Sequence, residues 1–439
     1  MLGLRGKGWH TLLACSLIAG CGGGSGGGTE EAPGAALHGG DAAVGALDHN
    51  PVVLLHGFFG WGRDELLGWK HFGGTRDLEA ELRAEGFDTV TVAVGPLSSN
   101  WDRAAEMYAQ LVGGTVDYGV AHSREHRHAR FGRTYDALLP GLGEVGPDGD
   151  VQRVNVIAHS QGSQTARVLI ALLADGDGAE RAACPAGECP DGEPPLSPLF
   201  AGGGPQWVHG VATLSGANDG STLAHALQND LNPNGLIAGL AVAVNTLGAS
   251  GLYDFKLDQF GLAPRAASEP LTAYFERITH TMLDADNLDT AFYDLSLDGA
   301  AELNRWARAR PDVVYFSWSN HTSLPIPLAG HHRPMSETNL FLWGFTAFMG
   351  NYQVAGVDAR SLWENDGIVN TLAMDGPHAA STDVVARFDG TIRSGVWQLV
   401  ERRRGWDHWD MLGLLDLRHD FSQTRGLYVD AARLLRSSE

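Results

Sequence analysis

A serine lies near the middle of the chain, in a segment whose flanks predict two different elements. Residues 151–157 predict a buried strand, Ala158-His159-Ser160-Gln161-Gly162 follows, and residues 164–173 have helical spacing. A sharp turn from strand to helix lifts a serine hydroxyl clear of the sheet edge, and small neighbours allow the close approach. Such a hydroxyl can attack an acyl carbonyl. Ser160 is therefore predicted to be a nucleophile, although the five-residue pattern alone is weak and begins with alanine rather than glycine.

A serine nucleophile needs a base to accept its proton and an acid to orient that base. In this strand, turn and helix setting, the acid comes next along the chain and the histidine last. Asp366 stands at a polar turn before an apolar run, and His408 lies in Trp-Asp-His-Trp-Asp near the C-terminus. With 18 histidines and 52 acidic residues in the chain, some such pair always follows a serine. The order makes Asp366 and His408 candidates without establishing them.

The oxyanion that develops during acyl transfer needs hydrogen-bond donors. One donor is usually the amide after the nucleophile, and the other comes from the loop after an early strand. Here these are the backbone N–H groups of Gln161 and of Phe58, which follows an apolar run and His56-Gly57. Because both donors are main-chain groups, side-chain changes at Phe58 are expected to matter less than changes that move its backbone.

The elements that would position these groups alternate along the chain. Apolar runs predict strands at 52–55, 89–94, 151–157, 208–214 and 313–318, and helical spacing predicts helices at 78–85 and after Asn100 and Ser160. Strands that alternate with helices form a mostly parallel sheet with helices on both faces. The sequence therefore predicts an α/β fold.

The N-terminal segment has the features of an export signal rather than of a part of the folded domain. Basic residues precede a short apolar run within residues 1–20, which is the layout of a signal peptide and too short to span a bilayer. The end, Ile18-Ala19-Gly20-Cys21, resembles the processing site of bacterial lipoproteins, in which the new terminal cysteine carries lipid. An ordinary signal peptide is the alternative. Residues 21–48 are then a flexible Gly/Ala-rich tether, and the folded domain occupies 49–439 on the cell envelope or in the medium.

Charge and cysteine content limit the partners. The formal net charge of −21 argues against nucleic acid or an anionic membrane surface as the main partner. Cys184 and Cys189 lie in a loop rich in Pro, Gly and Glu, and outside the cytoplasm they are most simply a local disulfide. Half of a thiolate metal site is the alternative, but it lacks a second cysteine pair.

Longer stretches carry a family resemblance. They are Pro51-Val-Val-Leu-Leu-His-Gly-Phe, Trp61-Gly-Arg, Val94-Gly-Pro-Leu-Ser-Ser-Asn-Trp-Asp-Arg, Leu111-Val-Gly-Gly-Thr-Val-Asp-Tyr-Gly, Ala129-Arg-Phe-Gly-Arg-Thr-Tyr and Tyr253-Asp-Phe-Lys-Leu-Asp-Gln. These residues closely resemble the thermoalkalophilic bacterial lipases, which include the staphylococcal lipases, and the likeness covers nearly everything from about residue 50 onward. The resemblance implies an α/β-hydrolase fold with an Ala-x-Ser-x-Gly turn, so Ala158 matches. It also places the triad on Ser160, Asp366 and His408.

The resemblance further implies a zinc ion in an extra segment. Its two aspartates and two histidines fall on Asp102, His122, His128 and Asp289. Two imidazoles and two carboxylates form a neutral tetrahedral shell with no open position, which suits a structural ion. Without the resemblance these histidines would be interpreted as solvated surface, and His126 still is.

A calcium site and several departures from the family remain open. The family binds calcium after the catalytic histidine, where Asp410 and, in a shifted position, Asp416 are the candidates. The Asp-Pro of the family is missing there, so loss of the site is the alternative. Ser163, the insertion at 184–195 and residues 321–339 also differ, which puts the preferred acyl-chain length in doubt.

The sequence as a whole predicts an exported, lipid-anchored serine hydrolase that acts on triacylglycerols or similar lipid esters. Residues 222–249 would then be either an ordinary core helix or a movable apolar lid. A carboxylesterase or polyester hydrolase with the same triad is one alternative. A tethered binding lipoprotein that has lost turnover is another.

Overall fold

The protein is described by a computed structural model, which covers residues 49–146, 149–204, 206–229, 253–266, 268–282, 284, 286–328, 330–414 and 419–439. The predicted signal peptide, Cys21 and the tether lie outside these residues. Asp416 and the greater part of the segment 222–249 also lie outside them.

The strands fall into one large sheet and two small ones. They are β1 (Val52–Leu55), β2 (Thr89–Val92), β3 (Gly114–Asp117), β4 (Phe131–Tyr135), β5 (Val154–His159), β6 (Val208–Leu214), β7 (Val314–His321), β8 (Ser323–Pro325), β9 (His332–Pro334), β10 (Val384–Arg387) and β11 (Val396–Arg404). Seven of them form a sheet in the order β10-β11-β7-β6-β5-β1-β2, with neighbours parallel throughout its described residues. The antiparallel pairs β3–β4 and β8–β9 stand apart from it.

Helices cover both faces of the large sheet. The described ones are α1 (Leu78–Ala84), α2 (Asn100–Val112), α3 (Val120–His126), α4 (Gly162–Asp175), α5 (Gly178–Ala183), α6 (Thr222–Asn229), α7 (Leu271–Met282), α8 (Ala291–Asp294), α9 (Leu297–Trp306), α10 (Leu340–Met349), α11 (Thr371–Asp375) and α12 (Phe421–Arg436). None of these helices is long and apolar enough to cross a membrane.

The side chains of the central strands alternate between the two faces of the sheet, and this alternation explains the two hydrophobic cores that flank it. Val53 and Leu55 of β1 pack in one hydrophobic core with α2 and α4, whereas Val52 and Leu54 pack in another with α1 and α12. Successive side chains of a strand point to opposite faces. A strand with helices on both sides is therefore apolar throughout, and the predicted α/β-hydrolase fold is confirmed.

The strand ends differ from the sequence prediction in ways that matter for the site. β5 continues to His159, directly before Ser160, and β7 continues to His321. The apolar pattern stops earlier in both because polar side chains begin where the strands reach the sheet edge. The pattern also does not predict β11, whose second half carries Glu401 and three arginines. Of the segment 222–249, the described part is α6, whose Leu223 and Ala226 are buried.

Candidate active site

Ser160 occupies the tight turn between β5 and α4. Its φ of +57° is left-handed, a conformation that costs a non-glycine residue about 1–3 kcal/mol and is often found at functional sites. Two backbone hydrogen bonds hold it there: Ser160 N donates to Leu214 O at 3.1 Å, and Ser160 O accepts from Ala217 N at 3.2 Å. The serine therefore stands at the carboxyl edge of the parallel strands, where ligands of open α/β sheets bind.

Two glycines allow neighbouring segments to approach this turn. A Cβ atom at Gly57 would lie 2.6 Å from the Cβ of Ser160 and 3.0 Å from the backbone nitrogen of Gln161. A Cβ atom at Gly162 would lie 2.6 Å from the carbonyl oxygen of Leu55. Side chains cannot be accommodated at these distances, so both positions require glycine. The loop after β1 is thereby brought directly against the serine turn.

The structure brings the predicted acid and histidine together. Nδ1 of His408 lies 2.7 Å from Oδ2 of Asp366, which is fully buried. The other carboxylate oxygen accepts the N–H groups of Ile368 and Val369 at 2.9 and 2.8 Å. Because the carboxylate can only accept, we assign the proton of the neutral imidazole to Nδ1. Nε2 of His408 then has the lone pair that a general base needs.

Two residues that the sequence reasoning missed hold this pair in place. His159 donates from Nε2 to the carbonyl oxygen of His408 at 3.1 Å, and the two rings are 4.5 Å apart. Burial, with the nearby His408, holds the pKa of His159 well below its usual value, so it is a neutral donor. Asn320 donates from Nδ2 to Asp366 at 3.3 Å and to the carbonyl oxygen of Trp406 at 3.1 Å. Their only signal in the sequence is that each follows a predicted strand.

The two proposed oxyanion donors belong to the serine turn itself and to the loop after β1 that packs against it. Within the described residues, neither the N–H of Phe58 nor that of Gln161 donates to a backbone acceptor. The side chains are fixed elsewhere: Phe58 packs edge-on against Phe292 at 5.3 Å, and Nε2 of Gln161 donates to the carbonyl oxygen of Ser98 at 3.2 Å. Both main-chain amides thus remain available to a substrate oxygen.

A second group of side chains converges beside α2. Its members are Asp102, His122, His128 and Asp289, and their ligand atoms all lie within 4.8 Å of one another. Nε2 of His122 is 3.3 Å from a carboxylate oxygen of each aspartate, and Nε2 of His128 is 3.1 Å from Asp289. His126 packs its ring against His122 at 4.5 Å but stays outside the group. The cluster joins three separate segments of the chain, namely α2, residues 122–128 and the segment around Asp289.

The atoms of this cluster fit a divalent cation. Oδ1 of Asp102, Nε2 of both histidines and both carboxylate oxygens of Asp289 are buried without a hydrogen bond among the described residues, which is rare for buried polar atoms. Burial and the Asp289 charge raise the pKa of Asp102. Burial lowers the pKa of His122, but Asp289 and Asp102 outweigh it and raise the value to about 10. The cluster therefore attracts positive charge, and imidazole with carboxylate is a donor set for divalent metals.

Outer contacts orient two of these ligands. Gln259 donates from Nε2 to Oδ2 of Asp102 at 2.8 Å, which leaves Oδ1 to face the cluster. Nδ1 of His128 donates to the carbonyl oxygen of Ala129 at 2.9 Å. This hydrogen bond fixes the tautomer in which Nε2 has its lone pair free for a metal.

His122 is oriented by a carboxylate that the sequence did not point to. It lies on α3, and Glu180 of α5 accepts the first amides of that helix, from Val120, Ala121 and His122, at 2.5, 3.0 and 2.7 Å. An anion is favourable at a helix N-terminus, where the amides have no helical partner. Gly119 has a φ of +99°, and a Cβ atom there would lie 2.4 Å from Glu180. No sequence spacing indicates this contact.

The loop after α5 contains the predicted cysteine pair. Cys184 and Cys189 form a disulfide in the structure, with their Cα atoms 4.2 Å apart. Arg130, which follows His128 by two residues, donates to the carbonyl oxygens of Pro194 and Pro195. The insertion is thus attached to the segment that carries His122 and His128.

The carboxylate of Asp410, the candidate calcium ligand, is already contacted by other protein groups. Oδ2 of Asp410 accepts the N–H of Asp407 at 2.7 Å and lies 3.4 Å from Nε2 of His419. Asp407 is itself buried, and burial together with Asp410 raises the pKa of Asp407 to about 7. Asp416 lies outside the described residues. The described residues around Asp410 do not gather a second group of three metal ligands.

Known proteins match this chain over most of its length. The family described as "Lipase-like, C-terminal domain" matches residues 48–433. Lipase 2 of Staphylococcus aureus is 30% identical over 394 residues, which cover 88% of this chain and 54% of the relative. The chain therefore spans about half the length of the curated relatives it matches.

Two solved structures are similar along nearly the whole fold. "EstA from Clostridium botulinum" has a TM-score of 0.77 and 36% identity, covering 90% of this chain and 89% of that one. "Lipase 1 from Pelosinus fermentans" has a TM-score of 0.76 and 38% identity, covering 89% and 99%. The parallel sheet, the serine turn at its carboxyl edge and the family match agree with one another. The chain belongs to the Lipase-like, C-terminal domain family, and the predicted resemblance to the staphylococcal lipases is confirmed.

Proposed function

We propose that the protein is a serine hydrolase that cleaves the carboxylic ester bonds of triacylglycerols and related lipids. The observation that carries this proposal is the 2.7 Å pair of His408 and Asp366, held by His159 against the strand that leads to Ser160. The similarity to proteins named lipase and EstA supports an ester as the substrate.

The residues divide the chemistry among them. Oγ of Ser160 attacks the ester carbonyl carbon, and Nε2 of His408 takes its proton. Asp366 holds the imidazole by Nδ1 and stabilises the imidazolium. The N–H groups of Phe58 and Gln161 donate to the oxyanion, where the loss of one donor costs about 3 kcal/mol. His408 then protonates the leaving alkoxide, and water activated by the same nitrogen releases the acid from Ser160.

We infer that the ion of the four-residue cluster is zinc. Two imidazole nitrogens and two carboxylate oxygens, which face one another and are buried without a hydrogen bond among the described residues, match the ligands of a four-coordinate site. Bound there, zinc would supply a structural cross-link between α2, α3 and the segments that carry His128 and Asp289. Four protein ligands leave no open position for a substrate.

We also propose export and attachment through a lipid on Cys21. The apolar run before Ile18-Ala19-Gly20-Cys21 supports processing at that cysteine, and the Cys184–Cys189 disulfide fits an oxidising compartment. Replacement of Cys21 by Ser should move the protein from the membrane fraction to the soluble fraction of the producing cell. Unchanged membrane association would contradict a lipid anchor at this position.

A chain-length series tests the activity. Nitrophenyl esters and triacylglycerols of increasing acyl length should be hydrolysed by the mature protein, and Ser160→Ala should lower the rate by about 10⁶-fold. The variant should keep its circular dichroism spectrum and its metal content. Substantial turnover by folded Ser160→Ala would refute the nucleophile. Hydrolysis that stops at short acyl chains would make the protein an esterase instead.

A further inference from the structure

Helix α10 has an apolar surface that faces solvent. Its ten residues include no charged side chain, and its one hydroxyl, of Thr346, turns back to donate to the carbonyl oxygen of Leu342 at 2.9 Å. Leu342 and Met349 are fully buried, whereas Leu340 is 76% exposed and Trp343 is 51% exposed. We call Leu340 and Trp343 the outer face of α10. Adjacent exposed apolar side chains on a soluble protein usually mark an interaction surface.

The opposite side of α10 rests on both loops of the triad. A Cβ atom at Gly367, next to the triad acid, would lie 3.0 Å from the Cβ of Leu342, so the helix touches that loop directly. At the start of the helix, the N–H of Asn339 donates to Asp407, the residue before the triad histidine, at 2.7 Å. The outer face is therefore rigidly placed with respect to the site. Whatever binds this face lies beside the site.

We propose that the outer face of α10 docks the protein onto an uncharged lipid surface and inserts Leu340 and Trp343 into it. This inference rests on the proposed function, because the lipid surface is where an ester substrate of that class resides. Tryptophan and leucine are the side chains that insert at the boundary between headgroups and acyl chains. Helix α10 itself contributes no cation that would attract anionic lipid, and a chain of net charge −21 is repelled by such lipid. Zwitterionic phospholipid and triacylglycerol droplets therefore fit the face.

The test compares two exposed tryptophans in protein that carries Ser160→Ala and Cys21→Ser, so that neither turnover nor a lipid on Cys21 contributes to vesicle binding. Trp343→Ser should lower the partition onto phosphatidylcholine vesicles, measured by co-flotation, about tenfold, the order expected when a large apolar side chain loses its burial. Trp306 is 43% exposed at the end of α9, and α9 leads to the amino end of β7, away from the triad edge. Trp306→Ser is thus the matched control and should bind as the parent does. Binding should not weaken with added salt, and phosphatidylglycerol should not strengthen it.

A second measurement separates docking from chemistry. With Ser160 present, Trp343→Ser should keep its kcat/KM for a dissolved short ester and lose rate on emulsified triacylglycerol, while its thermal unfolding stays unchanged. Equal vesicle binding by parent and Trp343→Ser, or an equal loss in Trp306→Ser, would overturn the proposal. So would a lipid-free dimer that Trp343→Ser converts to a monomer, because the face would then bind a second copy.

The failure of each proposal can be recognised separately. If vesicle binding depends on Trp343 but no ester is hydrolysed, docking stands and the proposed activity fails. If dissolved and emulsified esters are both hydrolysed but Trp343→Ser behaves as the parent on both, the activity stands and docking fails.

Discussion

The triad edge and the metal cluster both gather buried polar side chains from distant segments, but they complete them differently. Asp366 has protein partners on both oxygens, namely His408 and Asn320 on one and two amides on the other. In the cluster, five buried oxygen and nitrogen atoms of Asp102, His122, His128 and Asp289 have no hydrogen-bond partner among the described residues. The protein alone satisfies the hydrogen-bonding groups of the first site, whereas the second has the buried atoms that a bound cation would satisfy. Chemistry and metal-dependent stability should therefore be separable by substitution.

The largest separation is expected from Asp366→Asn. The amide would present an N–H to His408 and favour the wrong tautomer, so kcat should fall about 10⁴-fold. Metal content, measured by atomic absorption, should stay at one ion per chain because no cluster ligand is touched. Loss of the ion together with activity would show that the two regions are not independent.

Metal removal should have the reverse effect: it should lower thermal stability without touching a triad residue. An ion present at a thousand times its Kd stabilises the folded state by about 4 kcal/mol, so chelation should lower the Tm of a domain of this size by roughly 5 °C. His128→Ala should already have the lower Tm of the chelated parent, and added chelator should not lower its Tm further. His126→Ala is the matched control, because His126 lies next to the cluster but outside it, and it should respond as the parent does. Equal melting curves with and without the ion would rule out a structural role.

Glu106 lies behind the cluster and gives the stability of the protein a dependence on pH. It accepts from the N–H of Gly95 and, at 3.0 Å, from the hydroxyl of Tyr118, whose ring contacts His128. Burial, reinforced by Asp102, raises the pKa of Glu106 to about 7. The folded state therefore holds a proton that the unfolded state releases near pH 4.5, and the metal-free protein loses stability as pH rises from there to about 7.

Glu106→Gln should remove that loss. The free energy of unfolding of the variant relative to the parent should increase by roughly 3 kcal/mol between pH 4.5 and 8 in chelated protein. Bound metal should reduce the difference, because it neutralises the Asp102 charge that acts on Glu106. Urea unfolding at a series of pH values measures this; a difference that does not vary with pH would contradict the assignment.

The smallest effect is expected at Glu180. Glu180→Gln keeps the size of the side chain but can cap fewer amides of α3, so the metal affinity should fall about tenfold, or 1.4 kcal/mol. Glu125→Gln changes an exposed acid on α3 itself and should leave the metal affinity unchanged. Competition with a chromogenic chelator reports the Kd. An unchanged kcat on a dissolved ester would place the effect in the cluster alone.

Sequence reasoning reached the two regions to different depths. Ser160 could be predicted because strand, turn and helix are adjacent in the chain. Chain order made Asp366 and His408 candidates, and the family resemblance placed them as it placed the four residues of the cluster. Asp289 could not be predicted from spacing, because the fold rather than the chain brings it to His122.

Sequence reasoning missed the residues that hold each region in place through hydrogen bonds. Asn320, His159 and Glu180 act through hydrogen bonds to groups far away in sequence. Their residue types are common at strand ends and on helices, so nothing local distinguishes them. Only the assembled sheet shows which loops they meet.

Helix α5 connects the disulfide to the helix that carries His122. Glu180 lies in this helix, and Cys184 directly after it donates its N–H to the carbonyl oxygen of Glu180 at 3.0 Å. The disulfide therefore restrains the same short helix that fixes the direction of α3. We therefore expect formation of the disulfide to precede tight metal binding. Protein purified from a reducing cytoplasm is therefore expected to contain little metal. Its metal content should rise once Cys184 and Cys189 have formed their disulfide.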